Sequence, residues 1–221
     1  MAKPACVIVG YGPGTGHGIA SAFGRTGFAL GLLTRSPDKV AEPLSALREA
    51  GHHALLFAAD AANADSLRSG LDAARAQLGD PEVMVYNAAV FRLATPTAIT
   101  ADQLVADFRT NVAGALTAAN HVLPALRARR GGAILFTGGG WALHPSASVA
   151  STAIGKAGLR HLVLMLAEEL QGSGVRVGTV TILGQVATGT AFDPQRIGEA
   201  FVAMYRRPVE QFQSEVLFRG E

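Results

Sequence analysis

The residues of this chain best placed to do chemistry are the glycines of Val7-Ile-Val-Gly10-Tyr-Gly12-Pro-Gly14-Thr15-Gly16-His-Gly18-Ile-Ala20. Glycine lets a backbone turn sharply and approach a ligand closely. The unpaired N–H groups and positive end of a following helix then attract an anion. The spacing predicts a cradle for a nucleotide diphosphate. Glycines alone would carry little weight, but an apolar strand precedes them, helical sequence follows, and a second strand over residues 28–33 completes a βαβ unit. Other reactive groups are few. Cys6 is the only cysteine, so it can form no internal disulfide and reads as a small buried hydrophobe. His52-His53 has no cysteine or acidic partner at ligand spacing, and no metal site is expected.

The elements that must position this cradle follow from composition and pattern. With 221 residues, 49% hydrophobic and 16% charged, the chain fits a single α/β domain over 1–221, large enough to bury its own core. Its apolar runs are short and separated by turn signals, which argues against a transmembrane segment or a membrane partner. The first strand follows Met1-Ala-Lys-Pro directly, leaving no room for a secretory signal, so the cytoplasm is the expected address. A net charge of +2 gives no reason to expect nucleic acid, and Arg127, Arg129 and Arg130 fall where a long helix should end, where cations suit its dipole. Strand-type runs at 6–9, 28–33, 53–57, 83–86, 133–136, 175–182 and 215–218 alternate with helical stretches. This predicts a Rossmann-like, doubly wound parallel sheet of about seven strands with helices on both faces. Ser36 and Asn63 stand near helix starts. Residues 101–129 read as one helical region in which Pro124 implies a kink or break, and 153–170 as the next, with an apolar stripe of Leu159, Leu162, Val163, Leu166 and Leu170.

With this pattern in hand, the chain resembles the short-chain dehydrogenase/reductase family over essentially its whole length. Gly10-x-x-x-Gly14-x-Gly16 is similar to the family's cofactor loop, with Val9 where a threonine is usual and with Gly12 and Gly18 as extras. Tyr86-Asn87-Ala88-Ala89 resembles the Asn-Asn-Ala-Gly signature, with tyrosine in place of the first asparagine. The resemblance implies an adenine contact from Asp60 and the adjoining Ala61, and makes Asn111, in Phe108-Arg-Thr-Asn111-Val-Ala-Gly114, the catalytic asparagine. Leu183-Gly184-Gln-Val186-Ala-Thr188 is similar to the turn after the sixth strand, where Val186 and Thr188 would hold the nicotinamide. The family's substrate lid looks shortened here, near 184–194, so an open cleft is expected. Homodimers or homotetramers are implied through the two long helical regions.

The end of the second strand bears on cofactor choice. An acidic residue there would accept the ribose hydroxyls of NAD, whereas Thr34-Arg35-Ser36 offers two hydroxyls and a guanidinium, favouring NADP(H) over NAD(H).

One departure governs activity. The family places a tyrosine four residues before a lysine and a serine thirteen residues before that tyrosine. Lys156 fits the lysine, and the same counting reaches Thr152 and Gly139. An aliphatic hydroxyl is a far weaker acid than a phenol beside an ammonium, and glycine has no hydroxyl to polarise a carbonyl. The resemblance implies a further role for Lys156, a hydrogen bond to the nicotinamide ribose. His144, five residues beyond Gly139, is a candidate substitute acid, and Tyr86 a second. The leading expectation is hydride transfer to or from a small organic substrate. The alternatives are a non-catalytic nucleotide-binding protein and a structural subunit without cofactor.

Overall fold

The computed structural model describes residues 3–220; Met1, Ala2 and Glu221, the ends of the expected domain, lie outside the described residues. Seven strands, β1 (Ala5–Val9), β2 (Ala29–Thr34), β3 (Ala54–Ala58), β4 (Val83–Tyr86), β5 (Ala133–Gly139), β6 (Arg176–Ile182) and β7 (Glu215–Phe218), form one sheet in the order β3-β2-β1-β4-β5-β6-β7. Every pairing is parallel. Helices α1 (Thr15–Arg25), α2 (Ala41–Glu49), α3 (Ala64–Leu78), α4 (Ala101–Phe108), α5 (Gly114–Arg129), α6 (Ala150–Glu169) and α7 (Pro194–Arg206) connect them.

The apolar strand sequences follow from burial on two sides. Cys6 and Ile8 pack with Ile19, Phe23, Leu44, Ile197 and Phe201 of α1, α2 and α7. Val7 and Val9, pointing the other way, pack with Leu67, Leu71, Ala115, Val122, Leu159 and Val163 of α3, α5 and α6. The chain runs outward from β1 to β3 and then crosses to β4, so the direction of winding reverses between β1 and β4. Open sheets of this kind bind ligands beyond the carboxyl ends of the strands at that reversal.

Two local expectations need correction. Pro124 does not end its helix: α5 continues to Arg129, because Ala118, Ala119, Val122, Leu123 and Leu126 are buried against the sheet and packing outweighs the lost backbone bond. The expected single helix over 101–129 instead contains a π-helical turn, Arg109–Ala113, which carries Asn111. Ser36 stands at a helical start, as expected, but its hydroxyl makes no capping bond. It precedes a 3₁₀ turn at Pro37–Val40 and donates its N–H to Thr34 Oγ1 at 3.3 Å. Asn63 does cap α3, accepting from the N–H groups of Asp65 and Ser66, both at 3.0 Å. Gly18 also finds its reason here: a Cβ would lie 1.9 Å from Pro194 O, and one on Gly198 would lie 2.2 Å from Gly18 O, so the two glycines let α1 and α7 touch.

Candidate active site

The glycine loop leaves β1 at Gly10, which has a φ of +87° and where a Cβ would lie 2.4 Å from Ala88 Cα, so glycine alone fits. The N–H groups of Gly10 and Tyr11 both donate to Leu33 O, at 3.0 and 2.8 Å, and fasten the loop to β2. At Gly16 a Cβ would stand 3.1 Å from Gly10 O, so the loop and helix close tightly there. Around Gly12 and Gly14 a Cβ would meet nothing within 4 Å. Gly14 caps α1 without a side chain and Thr15 opens the helix; the N–H groups of Thr15 and Gly16 remain available to an anion, while that of His17 donates to Gly12 O and Gly14 O at 2.9 and 3.0 Å.

A cleft of about 260 Å³ lies at the reversal between β1 and β4. It brings together Gly10, Thr34, Arg35, Asp60, Ala61, Asn87, Ala88 and Ala89 from the predicted set. Its wall does not include Gly12, Gly14, Thr15, Gly16, Ser36, Gly184, Val186 or Thr188. Thr34 is buried, while Arg35 is exposed at the rim. Asp60 accepts from the Ala62 N–H at 2.9 Å, and its own N–H donates to Ser66 Oγ at 3.0 Å, which orients the carboxylate at the end of β3. The Asn87 side chain is largely committed to the scaffold: Nδ2 donates to Gly10 O at 2.8 Å and Oδ1 accepts from Thr137 Oγ1 at 2.9 Å.

The second part of the site lies beyond β4 and β5. Lys156 donates from Nζ to Thr137 O at 2.7 Å, and burial lowers its pKa to about 8. Gly139 has extended backbone, and a Cβ there would sit 3.4 Å from Lys156 Cε in ordinary contact. Thr152 is buried; its Oγ1 accepts from the Arg92 N–H at 3.1 Å and donates to Val90 O at 3.4 Å. Asn111 faces the same loop, with Oδ1 accepting from the Val90 N–H at 2.7 Å and Nδ2 donating to Val90 O at 3.3 Å. Gly155 makes room for it, since a Cβ there would lie 2.7 Å from Asn111 Nδ2. His144 is exposed and is held through its backbone N–H to Gly140 O at 2.9 Å.

Tyr86 is not a substitute acid in this geometry. Its hydroxyl, fully buried in the core, donates to Thr110 O, and burial pushes the phenol up. The turn after β6 is closely packed at Gly184. Gly184 is required by packing, because a Cβ would meet the Phe192 ring at 2.2 Å, and residues 183–193 contain neither helix nor strand.

Sequence reasoning missed a buried charge network. Asp107, 2% exposed, accepts from Arg92 Nε and Nη2 at 2.6 and 2.8 Å and from Ser151 Oγ at 2.7 Å. The only signal was an acidic residue four positions before Asn111, on the same helical face. The network pins the loop after β4 to the start of α6, beside Thr152. Its Arg92 hydrogen bonds hold the Asp107 carboxyl below the usual carboxylate range against the opposing effect of burial. A depressed carboxylate stabilises the fold above its unfolded pKa and loses that contribution as pH falls through the folded value. Asp107→Ala should therefore lower Tm at neutral pH by at least about 2–4 °C, the shift that 1 kcal/mol makes in a chain of this size. The difference from the native chain should shrink on acidification in thermal melts; equal melting at neutral pH would contradict it.

A parallel sheet wound in both directions about a glycine cradle defines a Rossmann-type nucleotide-binding protein. Residues 4–194 match the family described as short chain dehydrogenase, and the chain belongs to that family of oxidoreductases, which bind nicotinamide cofactors. It is 30% identical over 186 residues to the cis-4-hydroxycyclohexanecarboxylate dehydrogenase of Sinomonas cyclohexanicum, covering 81% of this chain and 72% of that one. It is also 30% identical over 179 residues to the oxidoreductase UcpA of Escherichia coli K12, covering 79% of this chain and 66% of the relative. In three dimensions it resembles a metagenomic short-chain oxidoreductase in complex with NADP (TM-score 0.87, 23% identity, 98% of this chain and 96% of the other). A second fold match is the apo short-chain oxidoreductase of Pseudomonas aeruginosa PAO1 with an atypical catalytic centre (TM-score 0.87, 20% identity, 98% and 96% covered). Among the described residues no helix is long and apolar enough to cross a membrane.

Proposed function

We propose that this chain is an NADP(H)-dependent oxidoreductase with an atypical catalytic centre, acting in the cytoplasm on a small organic substrate. The observation that carries this reading is a single hydrogen-bonded chain from Gly10 O through Asn87 and Thr137 to Lys156 Nζ. It puts the phosphate cradle and the lysine in one rigid frame. The residues present suit the cofactor: the open space at Gly12 and Gly14 suits a pyrophosphate, Thr34, Arg35 and Ser36 a 2′-phosphate, and Asp60 with Ala61 the adenine. Lys156 would hold the nicotinamide ribose, and Gly184, Val186 and Thr188 the nicotinamide. When bound, this group supplies or accepts hydride. The first relative's name supports a hydroxylated ring or its ketone as substrate.

The catalytic centre is atypical because Thr152 takes the place of the family's tyrosine and Gly139 that of its serine. The chain has three tyrosines, and each hydroxyl is engaged elsewhere: Tyr11 with His17 Nδ1, Tyr86 with Thr110 O and Tyr205 with Glu82. Ser151 is likewise committed to Asp107. Assaying NADPH oxidation with a panel of aldehydes, diketones, quinones and cyclic ketones should give measurable but slow turnover. Tight NADPH binding without turnover on any of them would instead establish a nucleotide-binding protein without catalysis, the reading favoured by the Thr152 hydroxyl being turned to Val90 O and the Arg92 N–H.

We also propose a homodimer or homotetramer. Val105, Phe108, Leu116, Ile154 and Met165 are exposed apolar side chains on α4, α5 and α6, where a second copy would cover them. Light scattering at micromolar concentration should return twice or four times 22.8 kDa; a mass near 22.8 kDa would contradict this.

A further inference from the structure

We propose that Lys156 is itself the proton donor of carbonyl reduction, resting on the oxidoreductase reading above. An Nζ–H bond breaks and its proton passes to the substrate oxygen, while the carbonyl carbon takes up hydride from the reduced nicotinamide cofactor. The products are an alcohol, oxidised cofactor and a neutral amine, which regains a proton from solvent.

The geometry favours this by what surrounds the ammonium. Of its three N–H donors one is bound, to Thr137 O. Gly139 adds no side chain beside the lysine stem, and Thr152 has its hydroxyl turned to Val90 O and the Arg92 N–H. Asn111 cannot give up a proton, and both ends of its amide are engaged by Val90. Four nearby charged groups are paired among themselves. Arg92 and Asp107 form one pair, and Arg160, one turn further along α6, forms another with Glu215 of β7, which also accepts from Thr181 Oγ1. Tyr86, behind the π turn, is buried on Thr110 O. His144 is the remaining candidate, and it stands on the exposed loop. Burial brings the amine to a pKa of about 8, close to a working pH, where a general acid is most effective.

The test begins without cofactor. The chain has three lysines, Lys3, Lys39 and Lys156, so acetylation by acetic anhydride across a pH series, read peptide by peptide in a mass spectrometer, follows each amine separately. Lys156 should become reactive with a midpoint near pH 8, against ~10.4 for an ordinary lysine. In the second arm, native reduction rates should fall as pH rises through this midpoint, because the acid form is lost. Lys156→Arg keeps the charge and the donors but cannot release a proton in this range. With NADPH held at saturation, verified by titration, it should lose ~10²-fold or more in kcat together with the pH limb. Turnover with Lys156 titrating as an ordinary lysine, or full kcat in Lys156→Arg, overturns this assignment alone. So does a pH limb removed by His144→Ala instead. Absence of any native turnover with NADPH bound overturns the oxidoreductase reading and this proposal with it.

Discussion

Thr152→Tyr combined with Gly139→Ser is expected to raise carbonyl reduction by ~10²-fold or more, because general acid–base catalysis typically contributes roughly 10²–10⁴-fold and proton transfer is the step being restored. The surroundings are suited to the serine: Gly139 already has extended backbone, and a Cβ there would stand at ordinary contact distances, 3.4–3.6 Å, from the Lys156 stem. The tyrosine asks more. Thr152 is 3% exposed and its hydroxyl accepts from the Arg92 N–H, so the ring must project past Val90 and the loop must yield by a small amount. Each single change should give much less, since acid and polarising hydroxyl act as a unit. The measurement is kcat with NADPH over the carbonyl panel, alongside a thermal melt to verify folding. If the folded double variant binds NADPH and turns over no faster than the native chain, the missing groups are not what limits it, and the non-catalytic reading replaces ours. The result also bears on Lys156, whose role in the variant would change from acid to a charge that makes the new phenol more acidic.

NADPH should bind at least about tenfold more tightly than NADH, and Arg35→Ala should remove most of that preference. A charge-assisted pair with a 2′-phosphate contributes roughly 1.5–3 kcal/mol, or about 10- to 150-fold. The exposure of Arg35 at the cleft rim, where water and salt screen the charge, places the expected value at the lower end of that range. No ion pair with Arg35 is formed among the described residues, so no internal partner competes for its guanidinium. Trp141, the single tryptophan, reports the titration from the turn following β5, where its ring lies tilted against Phe91 with centroids 5.8 Å apart. Equal affinities for the two cofactors, or an Arg35→Ala variant that holds NADPH as well as the native chain, would sink the assignment. The slope of log Kd against log salt should also be shallower in the variant, because the pair is screened by counterions.

Features set by neighbours along the chain were legible in the amino-acid sequence. Apolar strand runs with helices between them require a two-sided parallel sheet, because nothing else buries both faces of every strand. Gly10 could be read as a special backbone position and Asn63 as a cap because a sharp loop turn and a capping bond are decided within a few residues. The order of Asn111, Lys156, Thr152 and Gly139 was equally visible, with the chemical deficit it implies. What those groups do was decided only in three dimensions. Asn87 lines the cleft, and no local rule shows that its amide also reaches Gly10, 77 residues away, and Thr137, 50 away. Gly18 was an unexplained extra until α7 was seen against it. Pro124 signals a break to any local rule, and the buried face of α5 overrides it. The engagement of the Thr152 hydroxyl and the Arg92–Asp107–Ser151 network both depend on crossovers that bring the loop after β4 against α6, 60 residues away. Composition and spacing name the reactive groups, but hydrogen-bond partners and desolvation set their proton affinities, and both are properties of the packed chain.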